Sequence, residues 1–199
     1  MFKGIQKVTL VDYPGVIAAT VFTGGCNFNC PWCHNRALIE ADQLDNTQDI
    51  PEDQIREYLL SRKGKIQGVC ITGGEPTLWG DELAGFMEWC KREGFLVKLD
   101  TNGYLPDVLE GYIRKGLPDF IAMDVKNTPE LYAEAAGLAF VDGEIILRSI
   151  RLIRESGIRY QLRTTEVPDL VDKKKLEHYY RSIGETPVFQ EYRDISTVY

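Results

Sequence analysis

Apolar, β-branched runs alternate with helical patterns along most of this 199-residue chain. Alternating strands and helices build β/α units, so the pattern predicts a parallel sheet with helices packed against it. Glycines such as Gly94 and Gly157 follow predicted helices and give the expected stop signals. The predicted strands are Val16–Thr23, Gly68–Thr72, Phe95–Thr101, Asp119–Val125, Arg159–Thr165 and Pro187–Tyr192. The predicted helices are Glu52–Arg62, Asp81–Glu93, Asp107–Lys115, a broken pair covering Pro129–Gly137 and Asp142–Ser156, and Asp172–Ile183.

Six β/α units can close partly as a barrel or lie open as a doubly wound sheet, and periodicity alone does not choose between the two. The length suits one domain and no linker or break in composition divides it, so we expect residues 1–199 to form a single domain. Both architectures place ligands at the carboxyl ends of their strands. The residues at those ends are therefore the candidates for function.

Charge and hydropathy exclude several classes of protein. The net charge is −7 and no dense basic cluster offers the footprint that nucleic acid requires, so we expect no nucleic-acid partner. The short run Lys173–Lys175 comes before the helical pattern Leu176–Ile183 and is interpreted as a solvated face. No apolar run approaches the roughly 20 residues that span a bilayer, and the first residues lack the pattern of a secretion signal. We expect a cytoplasmic protein with no membrane partner.

Polar, glycine-rich or ionisable residues recur where the predicted strands end. Turn residues occupy such positions in any fold, but acids and a lysine inside otherwise apolar strands are costly to bury. Because the carboxyl ends of parallel strands meet at one edge of a sheet, we expect these residues to surround one site. The strand-end segments are Thr23–Cys26, Thr72–Glu75, Asp100–Gly103 and Asp124–Lys126, together with Arg163.

The first of these segments opens a loop that carries three of the five cysteines, Cys26, Cys30 and Cys33. Thiolates are the ligands of Fe–S clusters, and three cysteines on one loop can hold three corners of a cubane. Cys70 and Cys90 stand in apolar contexts and are interpreted as buried small hydrophobes. If neither reaches the cluster, its fourth iron is free to bind a substrate.

Two other kinds of site use similar residues. Cys30 and Cys33 alone form a C-x-x-C pair of the thioredoxin type, in which Cys26 has no role. A structural zinc site needs four ligands, with His34 as the fourth, but Cys33 and His34 are adjacent and poorly placed to meet one tetrahedral ion. Residue spacing favours a cluster and leaves both alternatives open.

The motif C-x-x-x-C-x-x-C, with Trp32 before its third cysteine, resembles the signature of the radical S-adenosylmethionine (SAM) superfamily. The continuation Cys33-His34-Asn35 and the N-terminal segment Lys3–Gly15 are similar to glycyl-radical-enzyme activating proteins, in particular those of anaerobic ribonucleoside-triphosphate reductase. The likeness extends through nearly the whole chain. It implies an enzyme with a partial (β/α)6 TIM-like barrel of parallel strands, and a radical SAM core domain over residues 1–199.

The resemblance also implies two cofactors. One [4Fe–4S] cluster would be held by Cys26, Cys30 and Cys33, and its free iron would bind the amino and carboxylate groups of SAM. An electron from the reduced cluster would cleave SAM to a 5′-deoxyadenosyl radical, while the protein binds, orients and excludes side reactions. No second group of cysteines is present in the sequence, so auxiliary clusters are not expected.

The resemblance further assigns residues to parts of SAM. Lys126 would contact the methionyl carboxylate, and Trp32 and His34 the adenine. The element that would receive the methionyl amino group consists of Thr72, Gly73, Gly74 and Glu75. The element near the ribose consists of Asp100, Thr101 and Asn102.

The remaining charged residues have two interpretations. By resemblance, Asp124 would contact the ribose or bind a monovalent cation together with Asp100 and Thr101, and Arg163 is a weaker member of the same site. The structural alternative is an ion pair between Asp124 and Lys126, with a structural Arg163 as well. Phe28 is expected to pack the cysteine loop onto the barrel.

Three hypotheses for function follow. The resemblance favours an activase whose deoxyadenosyl radical takes a backbone hydrogen from a glycine of a partner enzyme, expected to be an anaerobic ribonucleotide reductase. A reduced flavodoxin or ferredoxin would supply the electron. The second hypothesis is a small-molecule radical enzyme such as a deazapurine-forming synthase. The third is an Fe–S electron carrier or redox sensor, which leaves Gly73-Gly74-Glu75 and Asp124-Val125-Lys126 unexplained.

Overall fold

The computed structural model describes residues 1–40 and 48–193. Its centre is a seven-stranded sheet in which each strand pairs with its neighbour in sequence. The strands are β1 (Phe2–Thr9), β2 (Ala18–Thr23), β3 (Gly68–Gly73), β4 (Leu96–Thr101), β5 (Phe120–Asp124), β6 (Arg159–Glu166) and β7 (Pro187–Glu191). The pairs from β2 to β7 are parallel, whereas β1 runs antiparallel to β2.

Helices connect the parallel strands. Asp142 and Asp172 begin two of them as caps, because their side chains accept hydrogen bonds from the backbone N–H groups of Glu144 and Lys175 at 3.0 and 3.1 Å. The helices are α1 (Glu52–Ser61), α2 (Gly80–Arg92), α3 (Pro106–Arg114), α4 (Tyr132–Ala136), α5 (Gly143–Glu155) and α6 (Lys173–Ser182), and 3₁₀ turns cover Arg36–Leu38, Pro76–Trp79 and Pro129–Leu131. Every predicted strand and helix is present, with ends that shift by a few residues at most.

The strand order decides between the two predicted architectures. Each parallel strand is added beside the previous one, so the order never reverses as it does in a doubly wound sheet. A sheet wound in one direction keeps its helices on one face and curls toward a barrel. Within the described ranges, β1 and β7 remain unpaired with each other, so the barrel is open. The predicted partial (β/α)6 barrel is confirmed.

The prediction of an all-parallel sheet misses strand β1. This strand covers Phe2–Thr9 and pairs antiparallel with β2, with irregular register around Gly4 and after Gln6. Its sequence FKGIQKVT mixes lysines, glycine and apolar residues and lacks the β-branched run that marks the inner strands. Edge strands commonly carry lysines and bulges because these block pairing with other chains. The same features hide the strand from a search for periodic apolar residues.

The two faces of a strand separate the apolar core from the barrel interior. On β4, Val97 and Leu99 are fully buried in the core cluster that includes Ile146 and Ile150 of α5. The alternate residue Lys98 is only 1% exposed, although it is charged. Because side chains alternate across a strand, charged and polar groups collect on the concave side of the sheet.

Tyr13 closes the amino end of the barrel. It is 0% exposed and belongs to a small cluster with Ala18, Phe120 and Ala122, and its ring lies 6.0 Å from that of Phe120. Ala18 and Phe120 are the first residues of β2 and β5. The loop between β1 and β2 therefore plugs the amino ends of the strands, and the carboxyl ends remain available for a site.

In the described part of the chain, no helix combines the length and the apolar character that are needed to cross a bilayer. The cytoplasmic location stays a prediction.

Candidate functional site

The predicted site residues meet in one cavity at the carboxyl ends of the strands. The cavity holds about 830 Å³ of space, including its open mouth. Arg163 lies outside its lining and contacts two of the lining carboxylates. The predicted residues that line it are Cys26, Cys30, Trp32, Cys33, His34, Thr72, Gly73, Gly74, Glu75, Asp100, Thr101, Asn102, Asp124 and Lys126.

Five further residues line the cavity and were not predicted to do so: Phe28, Asn35, Ile39, Thr165 and Gln190. Thr165 and Gln190 lie near the carboxyl ends of β6 and β7, so the rule that identified the other strand ends would have found them. Phe28 also packs the cysteine loop as predicted, because it is 3% exposed and contacts the core.

The cysteine loop is fixed by hydrogen bonds from several elements. Trp79 donates from Nε1 to the Gly24 carbonyl at 2.9 Å, and Asn35 donates from Nδ2 to the Gly73 carbonyl at 3.0 Å. Arg36 donates to the Cys30 carbonyl at 3.0 Å. The loop therefore adopts one conformation against the ends of β2 and β3.

A glycine at the end of α4 lets that helix approach the cysteine loop closely. The backbone N–H of Asn29 donates to the Ala136 carbonyl at 2.9 Å. A Cβ atom at Gly137 would lie 1.9 Å from the Asn29 carbonyl oxygen, and Gly137 has a φ of +66°. Only glycine combines this backbone conformation with that contact. The sequence predicts a helix end at Gly137 but not its contact with the loop.

His34 turns toward the end of β7. Its Nε2 lies 2.9 Å from the Arg193 carbonyl oxygen, and its ring stacks on Tyr192 with centroids 5.9 Å apart. His34 thus connects the cysteine loop to the segment that follows β7.

The three loop thiols fit an Fe–S cluster better than a single metal ion. Within residues 1–40 and 48–193, no three Cys, His, Asp or Glu side chains converge as ligands of one ion. Cys26, Cys30 and Cys33 are free thiols that line one cavity, and a cubane spreads its thiolates over separate irons. Cys70 and Cys90 are fully buried, as predicted, and neither lines the cavity.

Burial keeps two of the loop thiols protonated. It raises the pKa of Cys26 to about 12, against a hydrogen bond from the Phe28 backbone N–H, which lies 3.4 Å from the sulfur. Burial also raises the pKa of Cys30, and nearby Lys126 opposes that rise. Because iron binds thiolates, loading of the site must release protons.

Glu75 is engaged by hydrogen bonds within the protein. It is 1% exposed. One carboxylate oxygen accepts from Thr77 N at 3.0 Å, Thr77 Oγ1 at 2.5 Å and Thr101 Oγ1 at 2.7 Å, and the other accepts from Asn102 N at 2.6 Å. Burial raises the pKa of Glu75, and these four hydrogen bonds oppose the rise. The carboxylate joins the ends of β3 and β4, and the role of this element toward the methionyl amino group stays a prediction.

Asn102 connects the end of β4 to the first cysteine. Its Nδ2 donates to Asn27 Oδ1 at 2.7 Å and lies 3.9 Å from the Cys26 sulfur. Its Oδ1 accepts from the Tyr104 backbone N–H at 3.0 Å. The amide is 5% exposed, so it orients the cysteine loop more than it faces the cavity.

Charged side chains from three neighbouring strands alternate in sign along one wall. Lys98 pairs with Asp100, and Arg163 Nη1 lies 3.3 Å from Asp100. Arg163 Nη2 is 2.8 Å from Asp124, and Lys126 Nζ is 3.1 Å from Asp124. Burial alone would raise the pKa of Asp124, but Arg163 and Lys126 lower it to about 2. Each of these charged groups has an opposite neighbour, as buried charges require.

These pairs bear on two predictions, the structural ion pair and the monovalent cation site. The ion pair between Asp124 and Lys126 is present, as the structural alternative requires. Arg163 lies between Asp100 and Asp124, where the monovalent cation was expected. Thr101 donates its hydroxyl to Glu75, so that group is engaged elsewhere. The monovalent cation stays a prediction, and the two carboxylates already have cationic partners from the chain.

Trp32 and Lys126 form a mixed apolar and cationic wall of the cavity. Lys126 Nζ lies 5.0 Å from the centroid of the Trp32 ring, a distance at which a cation is attracted by the ring. In the described ranges, the buried Nε1–H of Trp32 has no hydrogen-bond acceptor. An unpaired donor beside a cavity fits a ligand that brings its own acceptor.

Known proteins resemble the chain in sequence. Residues 20–179 match the Radical SAM superfamily. A provisionally named glycyl-radical enzyme activating enzyme of Methanocaldococcus jannaschii is 32% identical over 95% of this chain and 78% of that protein. The 7-carboxy-7-deazaguanine synthase of Thermococcus kodakarensis is 29% identical over 68% of this chain and 58% of that protein. The pyruvate formate-lyase-activating enzyme of Clostridium pasteurianum is 27% identical over 86% of this chain and 70% of that protein.

The fold also resembles that of solved structures. Streptococcus suis SuiB bound to S-adenosylmethionine superposes with a TM-score of 0.63 at 16% identity. The superposition covers 89% of this chain and 39% of the SuiB chain. The chain therefore spans well under half the length of that protein, and the likeness concerns the barrel.

Proposed function

Because this chain belongs to the radical SAM superfamily, we propose that it generates a glycyl radical on a partner enzyme. Superfamily members are enzymes that use a [4Fe–4S] cluster and SAM. The observation that carries the proposal is the 32% identity to an activating enzyme over 95% of the chain. A second activating enzyme, that of pyruvate formate-lyase, matches 86% of the chain.

Anaerobic ribonucleotide reductase is the partner that we propose. Support comes from the N-terminal segment Lys3–Gly15, which is similar to activating proteins of that class. In the structure this segment contributes β1 and the buried plug residue Tyr13. The segment therefore has a packing role, and the choice of partner rests on the resemblance.

We propose that Cys26, Cys30 and Cys33 hold the cluster, and that residues 1–199 act as one radical SAM core. When bound and reduced, the cluster supplies the electron that cleaves SAM into methionine and a 5′-deoxyadenosyl radical. The chain has to hold SAM in one orientation and keep water away from the reacting atoms. The buried Cys30 and the apolar faces of Phe28 and Trp32 suit that task.

The backbone of Gly73 and Gly74 is the better candidate for the methionyl amino group. Both residues line the cavity without a side chain, and their carbonyl oxygens can accept from an ammonium group. A Cβ atom at Gly74 would lie 1.9 Å from the Gly25 carbonyl oxygen, so the two loops meet closely there. The Glu75 carboxylate accepts four hydrogen bonds from the chain and is only 1% exposed, so it is less accessible to a ligand than the glycine backbone.

Lys126 is the candidate for the methionyl carboxylate. Asp124 and the Trp32 ring fix its ammonium group at the cavity wall. Asp124 keeps its charge at neutral pH, because its pKa is lowered to about 2, and its side chain is 32% exposed. That exposed carboxylate suits the hydroxyl groups of a ribose.

The test is radical transfer. The anaerobically reconstituted chain is mixed with SAM, dithionite and either an anaerobic ribonucleotide reductase or a pyruvate formate-lyase, and EPR is recorded. We expect a glycyl doublet with the reductase. A doublet only with the lyase would overturn the choice of partner. Formation of 5′-deoxyadenosine without a doublet on any glycyl radical enzyme would overturn the activase proposal and leave the cleavage of SAM in place.

A deazaguanine synthase is the second candidate, because one such enzyme is 29% identical over 68% of the chain. Its match covers less of this chain than either activating enzyme does. If this candidate is correct, the chain forms 7-carboxy-7-deazaguanine in the absence of any protein partner. Incubation with candidate small-molecule precursors and a search for that product by mass spectrometry separates the two candidates.

A further inference from the structure

Helix α6 carries a basic surface on a chain with a net charge of −7. The surface, called here the α6 basic face, consists of Lys173, Lys174, Lys175, His178 and Arg181, all of them exposed. Among the described ion pairs shorter than 4 Å, only Lys173 of this set takes part, through Glu166 at 2.9 Å. Asp172 and Glu177 flank the run in sequence, and Glu130 in the same groove attracts Lys175 electrostatically. Lys174 and Arg181 take part in no described ion pair shorter than 4 Å, so these two cations are the most available to a partner.

The first turn of α6 opposes its own helix dipole. Lys173, Lys174 and Lys175 occupy that turn, which holds no acidic residue. The N-terminus of a helix is its positive end, so cations there are unfavourable and carboxylates are favourable. Positions that break a local rule without a structural gain are expected at functional sites. The three lysines are exposed, as the interpretation of a solvated face requires, but solvation alone does not explain their position at the start of the helix.

A groove borders the same cations. Lys174, Lys175 and His178 line it on the α6 side, and Pro129 and Tyr179 give it apolar surface. The remaining lining residues are Thr128, Glu130 and Ser182. A cationic rim around a partly apolar groove is the arrangement of protein docking sites that use charge for orientation.

The groove lies behind the cavity that the cysteine loop lines. Lys173 pairs with Glu166, and its Nζ lies 4.6 Å from the centroid of the Phe189 ring. Glu166 follows Thr165 in β6, and Phe189 precedes Gln190 in β7, and both of these neighbours line the cavity. Thr128, in the groove, follows the cavity residue Lys126 by two positions. Strands β6 and β7 and the loop after β5 therefore contribute both to the cavity and to the surroundings of the α6 basic face.

We propose that the α6 basic face docks an acidic electron-donor protein of the flavodoxin or ferredoxin class. This inference rests on the proposed function, in which a cluster needs one electron for each SAM that is cleaved. The donor loses one electron and the cluster gains it, and no atoms are exchanged. A negatively charged donor would be repelled by most of a chain of net charge −7 and attracted at this face.

The experiment uses charge reversal at two groove lysines, Lys174→Glu with Lys175→Glu. Glutamates in the first turn of α6 are favourable to the helix, so the variant should melt no lower than the wild type. The matched control is Lys65→Glu with Arg114→Glu, two exposed cations at the opposite end of the sheet. All three full-length proteins are reconstituted anaerobically, and the dissociation constant for oxidised flavodoxin is measured by calorimetry at low and high salt.

We expect the groove variant to bind flavodoxin about tenfold more weakly than wild type or control at low salt, and to lose most of the salt dependence. With reduced flavodoxin, its rate of 5′-deoxyadenosine formation should fall by a similar factor. With dithionite, a small reductant that needs no docking surface, its rate should equal that of wild type.

Equal flavodoxin affinities for the groove variant and wild type at low salt would overturn the inference. So would an equal loss of rate with dithionite, because that loss would place the defect in the site itself. A lower glycyl radical yield with dithionite, at unchanged flavodoxin affinity, would assign the face to the glycyl partner. If wild type forms no 5′-deoxyadenosine with dithionite, the proposed function is wrong. The flavodoxin affinities of wild type and groove variant still test the docking surface in that case.

Discussion

The two ends of the barrel are stabilised in opposite ways. At the amino ends of the strands, Tyr13 is fully buried and packs against Ala18, Phe120 and Ala122. At the carboxyl ends, polar groups satisfy one another, as where Glu75 accepts four hydrogen bonds. The apolar end contributes to stability, and the polar end fixes groups around a cavity. Substitutions at the apolar end should therefore lower stability without changing the cavity, and substitutions at the polar end should change the cavity with less effect on stability.

Cys30→Ala should have the largest effect of all, a loss of activity and of iron that arises at the polar end of the barrel. Loss of a cluster ligand is expected to lower the rate of 5′-deoxyadenosine formation by more than about 100-fold, since even changes around a ligand cost roughly 10- to 100-fold. Iron content after reconstitution and product by chromatography are measured. Cys90→Ala is the control, because Cys90 is buried in α2 away from the cavity. Full iron content and activity in Cys30→Ala would contradict the ligand assignment.

Tyr13→Ala should destabilise the protein through its apolar end. Removal of a fully buried ring is expected to cost about 3–5 kcal/mol of unfolding free energy. Tyr13→Phe should stay within about 1 kcal/mol of wild type, because the buried ring keeps its packing and a hydroxyl contributes about one net hydrogen bond at most. Denaturant unfolding of the cluster-free protein measures both. If the folded fraction of Tyr13→Ala bound SAM more weakly than wild type, the two ends would not be independent.

Glu75→Gln should show whether the Glu75 carboxylate mainly joins the strand ends or mainly binds SAM. The amide replaces an oxygen that accepts from Thr77 or Asn102 with a donor, and the expected cost is about 1–3 kcal/mol of unfolding free energy. SAM affinity of the reconstituted, oxidised protein should change by less than about threefold, which is under about 1 kcal/mol. A large loss of affinity at unchanged stability would instead place the carboxylate on the methionyl amino group.

Asp124 should give the smallest effect, a contribution to stability that depends on pH. Its pKa is lowered from 3.8 to about 2 in the folded protein. The folded state therefore favours the ionised carboxylate, which stabilises the protein above pH 3.8 and loses that effect as the pH falls toward 2. Partial exposure of the side chain keeps the contribution small.

The measurement is chemical unfolding of cluster-free wild type and Asp124→Asn across this pH range. The difference in unfolding free energy should shrink as the pH falls. A difference that stays constant would show that the ion pairs with Arg163 and Lys126 do not depend on the carboxylate charge.

The sequence predicts the location of the site better than the roles of its residues. Strand ends are local features, so Thr72–Glu75 and Asp100–Asn102 are found from pattern alone, and the same rule would have reached Thr165 and Gln190. The hydrogen bonds of Glu75 depend on how β3 and β4 meet, and a pattern along one strand carries no such information.

Non-local contacts explain the other differences. Arg163 bridges Asp100 and Asp124 because β4, β5 and β6 are neighbours in the sheet, and strand order is not visible in the periodicity. Strand β1 is stabilised by pairing with β2, so its own residues need no regular apolar pattern.

The most direct test of the account is EPR of the reduced, reconstituted chain before and after addition of SAM. A cluster held by Cys26, Cys30 and Cys33 has one iron free, so SAM should change the spectrum, and 5′-deoxyadenosine should accumulate. A spectrum that SAM leaves unchanged, with no 5′-deoxyadenosine, would mean a fully ligated cluster and would contradict the account.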